Sequence, residues 1–304
     1  MNGGSTAWLA PALALLVSCA PADREIREMT ADLVIYSSHP SDLATTIVDE
    51  FRERTGLRVS IVSEGTGALL SRLRREGGPA ADVFWGGGAE SLVANIDLFA
   101  SYRSPEREAI PSGLRDDEGF WTGFTVLPMV IIANKRLVPG GAIPRRWSDL
   151  ARASLAGSVA YADPASSGSA YTILRTMLVA GGAAVAGGAA VAGSDEAAWH
   201  LIEEFVVAIG GEPLEGSALV YRGVSSGEYL AGATFENAGA DAQRLGSDVV
   251  IIYPEDGTSA VPDGVAILKG APHPENARRF VDFALGSDVA RVVAARFNEL
   301  TERN

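Results

Sequence analysis

Apolar and polar residues form two kinds of block that alternate along the chain. Short apolar runs, such as DLVIY at 32–36 and ADVFW at 81–85, predict buried strands. Segments with apolar residues at helical spacing follow them, as at 40–55, which ends before Gly56. Because strands and helices alternate, the pattern predicts an α/β fold with a largely parallel sheet.

The same reasoning extends over the rest of the chain. Further strands are predicted at 57–62, 158–164, 248–254 and 264–270, and further helices at 68–76, 89–96, 169–180, 196–209, 226–233, 274–285 and 287–300. The apolar stretch 123–134 has the length of a strand that passes from one lobe to another. We therefore expect two discontinuous α/β lobes, 32–127 plus 253–304 and 128–252, joined by crossovers near 124–129 and 252–255.

The N-terminal region predicts export. The apolar run AWLAPALALLV at 7–17 has signal-peptide length and is too short for a spanning helix. It leads into Leu16-Val17-Ser18-Cys19, which resembles the lipobox of bacterial lipoproteins, although no Lys or Arg precedes the run. The resemblance implies cleavage after residue 18, acylation of Cys19, a tether at 19–31, and a lipid anchor on the periplasmic or cell-surface side of a membrane.

Composition narrows the choice of partner. The 304 residues include 38 Asp and Glu against 25 Lys and Arg, a formal net charge of −13 that opposes binding to nucleic acid. A small anion stays compatible with this charge, because a local cluster of backbone N–H groups outweighs distant, screened charges. The Gly/Ala repeat at 181–193 predicts a flexible surface connection.

Four loops share a sequence design in which a strand ends, Ser, Thr or Gly follows, and a helix begins. They are Ser37-Ser38-His39, Gly65-Thr66-Gly67, Gly86-Gly87-Gly88 and Ser166-Ser167-Gly168-Ser169. Each places unpaired N–H groups and the positive end of a helix dipole at the carboxyl edge of the sheet. Each, taken singly, is also an ordinary helix N-cap. Together they predict a pocket for an anion.

Four longer stretches, at 66–87, 161–171, 227–239 and 249–285, resemble the ferric-iron, phosphonate and hexose-phosphate group of type 2 periplasmic binding proteins. The resemblance implies a Venus-flytrap fold with a ligand cleft between two lobes. It also implies delivery of the solute to a membrane permease powered by a cytoplasmic ATPase, as in ABC importers, with no catalysis and no cofactor.

Matching residues extend the resemblance to the cleft. It places Ser37, Ser38, His39, Thr66 and Gly67 in the first lobe, with the helix start Ser166–Ser169 in the second. Thr234, Phe235 and Glu236 match a wall where iron-binding members carry adjacent tyrosines. Among aromatic residues, Trp85, Phe235 and Tyr253 are candidates for apolar or stacking contacts, and Gly86 belongs to the third loop.

The predicted ligand is a small phosphorylated or phosphonate organic compound, with Glu236 facing its organic end. Ferric iron is the alternative, because His39 and nearby Glu64 are retained. A hard ferric ion needs several oxygen ligands, and the Tyr-Tyr pair does not occur in this sequence. A dedicated metal site is therefore not predicted.

One catalytic pattern competes with binding. Gly223–Gly227 fits G-x-S-x-G, and Asp256 and His273 follow Ser225 in the order of a hydrolase triad. The favoured alternative is a capping box, in which Ser225 and Glu228 open the helix predicted at 226–233. A serine hydrolase is thus the remote alternative to a binding protein.

Overall fold

The computed structural model describes residues 31–76, 80–138, 142–185 and 195–301. Cys19, the signal-like run and residues 186–194, which include much of the Gly/Ala repeat, lie outside these ranges. Within them, none of the helices has both the length and the apolar character needed to cross a membrane.

The described ranges contain nine strands and nine α-helices. The strands are β1 (Leu33–Ser37), β2 (Val59–Ser63), β3 (Val83–Gly88), β4 (Phe99–Ala100), β5 (Thr122–Asn134), β6 (Val159–Ala160), β7 (Ala231–Phe235), β8 (Val249–Ile252) and β9 (Ala260–Leu268). The helices are α1 (Ser41–Thr55), α2 (Thr66–Arg75), α3 (Ala89–Ala94), α4 (Gly168–Val185), α5 (Asp195–Ile209), α6 (Ser217–Ser226), α7 (Glu236–Arg244), α8 (Pro274–Leu285) and α9 (Ser287–Thr301). Short 3-10 turns occupy Ile96–Leu98, Pro105–Ala109, Ser112–Leu114, Trp147–Ala151 and Ala153–Leu155.

The strands form one curled sheet in the order β2-β1-β3-β9-β5-β7-β6, with β4 beside β9 and β8 beside β5. Strands β2, β1 and β3 are parallel, as their helical connections require. Strand β9 pairs antiparallel to both β3 and β5. The fold is therefore the two-lobed α/β architecture expected from the sequence, with a mixed rather than purely parallel sheet.

Helix α1 illustrates how the apolar pattern builds the first lobe. Its residues Leu43, Ile47 and Phe51 are buried, and Gly56 ends it with a φ of 71° and an N–H bonded to Arg52. Phe51 meets Phe280 of α8 edge-on, with ring centroids 5.3 Å apart. One face of the sheet thus carries α1, α8 and α9, and a second apolar cluster covers the other face.

The second lobe has its own core around the C-terminal half of β5. Met129 to Ala133 are fully buried there. They share one cluster with Trp147 of a 3-10 turn, Met177 of α4 and Phe205 of α5. Separate cores are consistent with two bodies that the crossing strands connect.

Strand β5 makes the first crossing where the sequence predicted it. Its N-terminal half pairs with β9, and its C-terminal half pairs with β7 and β8. The return crossing differs from the expected 252–255, because Glu255 N–H donates to the Arg145 carbonyl at 2.8 Å within the second lobe. The chain returns instead in β9, whose Ala260 pairs with Pro128.

The prediction of a helix at 226–233 is wrong. Helix α6 ends at Ser226, and Gly227 follows with a φ of 83°. Strand β7 begins at Ala231, pairs antiparallel to β5 and buries Ala231 and Ala233. Ser225 therefore lies near the end of a helix, so the capping box with Glu228 does not exist.

Candidate ligand-binding site

A cavity lies between the lobes at the carboxyl edges of β1, β2 and β3. It holds about 860 Å³ of empty space, counted out to the open solvent at its mouth. Its lining from the first lobe and the crossing strands is Ser38, His39, Pro40, Leu43, Gly65, Thr66, Gly87, Gly88, Thr125, Leu127, Met129, Val261 and Asp263. Its lining from the second lobe is Ser167, Gly168, Ser169, Thr172, Gly216, Ser217, Phe235, Asn237 and Asp241.

Helix starts dominate this lining. Helices α1, α2, α6 and α7 begin beside the cavity, and their N-cap residues Pro40, Gly65, Gly216 and Phe235 make no side-chain cap hydrogen bond. The first-turn amides of a helix have no partner within the helix. The cavity is therefore bordered by donors and by the positive ends of helix dipoles.

Helix α4 begins at the cavity with its own cap. The Ser167 hydroxyl accepts from the Ala170 N–H at 3.3 Å and lies 3.2 Å from the Ser169 hydroxyl. Ser167 is only 4% exposed. The amides of Gly168 and Ser169 belong to the first turn, so this helix start combines hydroxyl and N–H donors.

The starts of α2 and α4 touch each other across the cleft. The Gly67 N–H donates to the Ser166 carbonyl at 3.0 Å. A Cβ added at Gly67 would lie 2.3 Å from the Ala165 carbonyl oxygen, and one added at Gly168 would lie 2.9 Å from the Thr66 hydroxyl. This approach needs glycine, and it holds the lobes in a closed arrangement.

His39 and Asp263 form the polar floor beneath the helix starts. Their Nδ1 and Oδ2 atoms are 3.4 Å apart, and the Asp263 carboxylate accepts from the Thr125 N–H at 3.2 Å. The His39 ring lies 4.6 Å from that of Trp85 and 5.1 Å from that of Phe124. Burial lowers the pKa of His39 and raises the pKa of Asp263. The charge of each residue opposes the shift of the other, but burial has the larger effect and favours the neutral form of both.

The sequence predicts Glu236 in a wall of the cleft, and the structure places this residue at the start of helix α7. The Glu236 carboxylate accepts a hydrogen bond from the Tyr253 hydroxyl outside the cavity lining. Burial and this bond raise the pKa of Tyr253 to about 12, so its phenol stays protonated at neutral pH. Phe235, Asn237 and Asp241 line the cavity from this helix instead.

The structure thus brings together about half of the predicted site residues. Those at the cavity are Ser38, His39, Thr66, Ser167, Gly168, Ser169 and Phe235. Those outside its lining are Ser37, Gly67, Trp85, Gly86, Ser166, Thr234, Glu236 and Tyr253.

Several of these outlying residues have structural partners. Ser37 is a buried strand residue whose hydroxyl accepts from the His39 N–H at 3.3 Å. Ser166 donates its hydroxyl to the Glu215 carbonyl at 2.8 Å, which fixes the loop before α4. Trp85 is fully buried in the first-lobe core, and Gly86, with a φ of 119°, leaves room for the Ser38 hydroxyl.

Sequence reasoning missed the polar groups that reach the cavity from distant segments. Asp263 lies at register shifts where β9 pairs with both β3 and β5, and Thr125 is its β5 partner. Asn237 and Asp241 project from α7, which was not predicted as a helix. Their spacing of four residues was the available signal, because residues four apart share a helix face.

The contacts of Ser225, Asp256 and His273 do not link these residues to one another. Ser225 is in α6, where its hydroxyl is buried without a hydrogen-bond partner. Asp256 accepts from the Trp147 N–H at 3.2 Å. His273 instead pairs with Asp82, its Nδ1 lying 3.1 Å from the carboxylate. Across the described ranges, no three His, Cys, Asp or Glu side chains converge on a point that could hold a metal ion.

Comparison with known proteins assigns the class that this cleft suggests. Residues 79–300 match the family described as bacterial extracellular solute-binding protein. The chain therefore belongs to this family, the class of receptors that serve ABC importers.

Proteins described with different solutes are similar to this chain in sequence or in structure. The periplasmic binding protein AfuA from Actinobacillus pleuropneumoniae, solved with fructose-6-phosphate, has a TM-score of 0.74 at 26% identity over 84% of this chain and 79% of its own. Iron uptake protein A1 of Synechocystis sp. is 25% identical over 93% of this chain and 80% of its own length. Iron-bound HitA from Pseudomonas aeruginosa has a TM-score of 0.67 at 22% identity over 84% of this chain and 81% of its own.

Proposed function

We propose that this protein is the lipid-anchored receptor of an ABC importer, exported and held at the membrane surface through Cys19. It captures a small phosphorylated or phosphonate organic anion between its lobes and delivers it to the permease, without catalysing a reaction. The observation that carries the proposal is the convergence of the α2 and α4 starts, one from each lobe, on a single cavity.

The donors at this convergence suit a phosphoryl group. Thr66, Ser167 and Ser169 supply hydroxyl groups, and the first turns of α2 and α4 supply N–H groups. Helix N-termini favour negative charge through their dipoles and their aligned amides. Since the described lining includes no Lys or Arg, hydroxyls, amides and dipoles are the groups proposed to hold the anion.

Binding to a panel of solutes tests the proposal. Isothermal titration with fructose-6-phosphate, 2-aminoethylphosphonate, inorganic phosphate and ferric citrate should give binding to at least one phosphorus compound. Ser167→Asp should weaken that binding by at least ~1 kcal/mol, about fivefold, because it places a negative charge at an anion-binding helix start. Asp is as good an N-cap as Ser, so α4 itself should keep its stability.

Ser112→Asp is the matched control, because it adds the same charge on an exposed turn away from the cavity. This variant should bind as tightly as the wild type. Equal effects of the two substitutions, or phosphorus-compound binding that Ser167→Asp leaves unchanged, would refute the proposed anion site.

Ferric iron is the second candidate, favoured by the His39–Asp263 pair at the cavity floor. Burial lowers the pKa of His39, which favours the neutral imidazole that a metal needs. Against iron, Phe235 lines the cavity where a phenol would be needed, and the Tyr253 phenol is engaged by Glu236. Tight ferric binding that survives Ser167→Asp and is lost in His39→Ala would establish iron as the cargo.

A further inference from the structure

We infer that Asn237 and Asp241 form a subsite for the hydroxyl groups of the ligand's organic end. This inference rests on the proposed function and adds the chemistry of the second half of the ligand. A polyhydroxylated phosphate ester, such as a sugar phosphate, would place its phosphoryl group at the α2 and α4 starts and its hydroxyls against α7.

The placement of the two side chains on α7 supports the subsite. Asn237 and Asp241 are four residues apart on a helix that runs from Glu236 to Arg244, so they share one face. Both line the cavity, and Phe235 lies beside them at the helix N-cap. The intervening Glu236 is turned away to Tyr253. The α7 wall therefore presents an amide, a carboxylate and an apolar ring to the ligand.

An unsatisfied polar atom on this wall points to a ligand. The Oδ1 atom of Asn237 is buried and has no hydrogen-bond partner among the residues that the structure describes. Buried polar atoms are nearly always paired, because an unmet acceptor loses its hydration without compensation. Because this atom is buried, the Asn237 side chain would have to rotate toward the cavity that it lines, where a ligand hydroxyl would supply the missing donor. Because a hydroxyl both donates and accepts, it would also satisfy the amide in the flipped orientation.

Charge favours hydroxyl groups over an ammonium group at this position. The Asp241 carboxylate lies 3.5 Å from the Arg244 guanidinium, which partly compensates its charge. The other cavity carboxylate, Asp263, has His39 beside it. Arg244 already compensates the charge of Asp241, and burial favours the neutral form of Asp263, so the desolvation cost of an ammonium would find little compensation. A neutral hydroxyl has a smaller desolvation cost.

The two walls of the cavity are therefore complementary in polarity. The α2 and α4 starts offer N–H and O–H donors, and α7 offers acceptors at Asn237 and Asp241. A molecule with an anionic end and a hydroxyl-bearing end matches both walls in one orientation. Inorganic phosphate matches only the first wall, so its affinity reports on the anion-binding half of the site alone.

Isothermal titration of the full chain with three probes tests the subsite. The wild type should bind fructose-6-phosphate more tightly than 2-aminoethylphosphonate or inorganic phosphate. Asn237→Ala and Asp241→Asn should each weaken fructose-6-phosphate binding by about tenfold while changing inorganic phosphate binding by less than about twofold. Glu236→Gln, on the same helix turn but outside the cavity lining, should leave all three affinities unchanged.

The outcomes separate the subsite from the proposed function. Equal losses for fructose-6-phosphate and inorganic phosphate, or no loss for either, would overturn the subsite while the anion receptor stands. Tighter binding of 2-aminoethylphosphonate, lost in Asp241→Asn, would overturn the hydroxyl assignment in favour of an ammonium. Failure of the wild type to bind any of the three would reject the proposed function itself. Thermal unfolding of each variant checks that it is folded, and the near-isosteric Asp241→Asn is a second test should Asn237→Ala unfold.

Discussion

Single glycines decide how closely the two lobes approach. Gly67 donates its N–H to the Ser166 carbonyl, and the space where its Cβ would lie is occupied by the Ala165 carbonyl oxygen. The sequence marked Gly67 as a ligand contact because it follows Thr66 at a helix start. The structure assigns its amide to the opposite lobe, a role that depends on a contact between segments about 100 residues apart.

Gly67→Ala should hold the lobes apart. The added methyl would lie 2.3 Å from a backbone oxygen that has no flexible side chain to displace, so the closed arrangement should become inaccessible. If ligand contacts from both lobes require closure, affinity should fall by at least about tenfold, since the competent state loses population. Titration of the panel ligand and small-angle scattering of the saturated protein measure the two effects.

Gly113→Ala is the control for this change, because a Cβ at Gly113 meets no atom within 4 Å. It should bind the ligand as the wild type does and show the same decrease in radius of gyration on saturation. A Gly67→Ala protein that closes to the wild-type radius would contradict the steric argument.

At the level of elements, the sequence predicts best where a strand ends in Ser, Thr or Gly and a helix follows. Helices α1, α2 and α4 were predicted close to their observed bounds, because periodic burial and N-cap chemistry are local properties. The segment after Gly227 was misassigned because Ser225 and Glu228 have the spacing of a capping box, whereas pairing with β5 draws the segment into the sheet. Asp263 was missed for a similar reason, because strand pairing brings it to the cavity.

Gly227→Ala tests the corrected boundary between α6 and β7. Gly227 has a φ of 83°, and its N–H bonds to Gly223 and Val224 at the end of the helix. An alanine in this left-handed conformation should lower the free energy of unfolding by ~1 kcal/mol. Urea denaturation measures the loss.

Gly211→Ala provides the comparison within the second lobe, because its Cβ meets no atom within 4 Å. That variant should unfold at the wild-type midpoint. If Gly227→Ala were equally neutral, residue 227 would not need the left-handed conformation, and the assigned end of α6 at Ser226 would be wrong.

On the scale of the whole molecule, the sequence predicts two lobes, an interlobe cleft and a family, and the fold and the comparisons agree. What it could not place is the inner surface of the cleft, because that surface is assembled from eight separate segments of the chain. Membrane attachment also concerns the whole molecule. Thirteen residues, 20–32, separate the proposed anchor at Cys19 from the first strand.

Cys19→Ser should release the receptor from the membrane. Cys19 is the one cysteine of the sequence, so the variant keeps no thiol that could carry the proposed lipid anchor. Fractionation should move the variant from the membrane pellet to the soluble fraction. Ser18→Ala, which keeps the thiol, should leave the protein in the pellet; retention of both variants there would refute the anchor.

The bond between Gly67 and Ser166 joins main-chain atoms only, so most side-chain substitutions leave its two atoms in place. The groups proposed to distinguish one solute from another, Asn237 and Asp241, lie on a different helix. Mutation can therefore change the cargo without altering the surfaces that shut the cleft. A lineage of such receptors can acquire new nutrients through a few substitutions on α7 while keeping the closed shape that its importer must recognise.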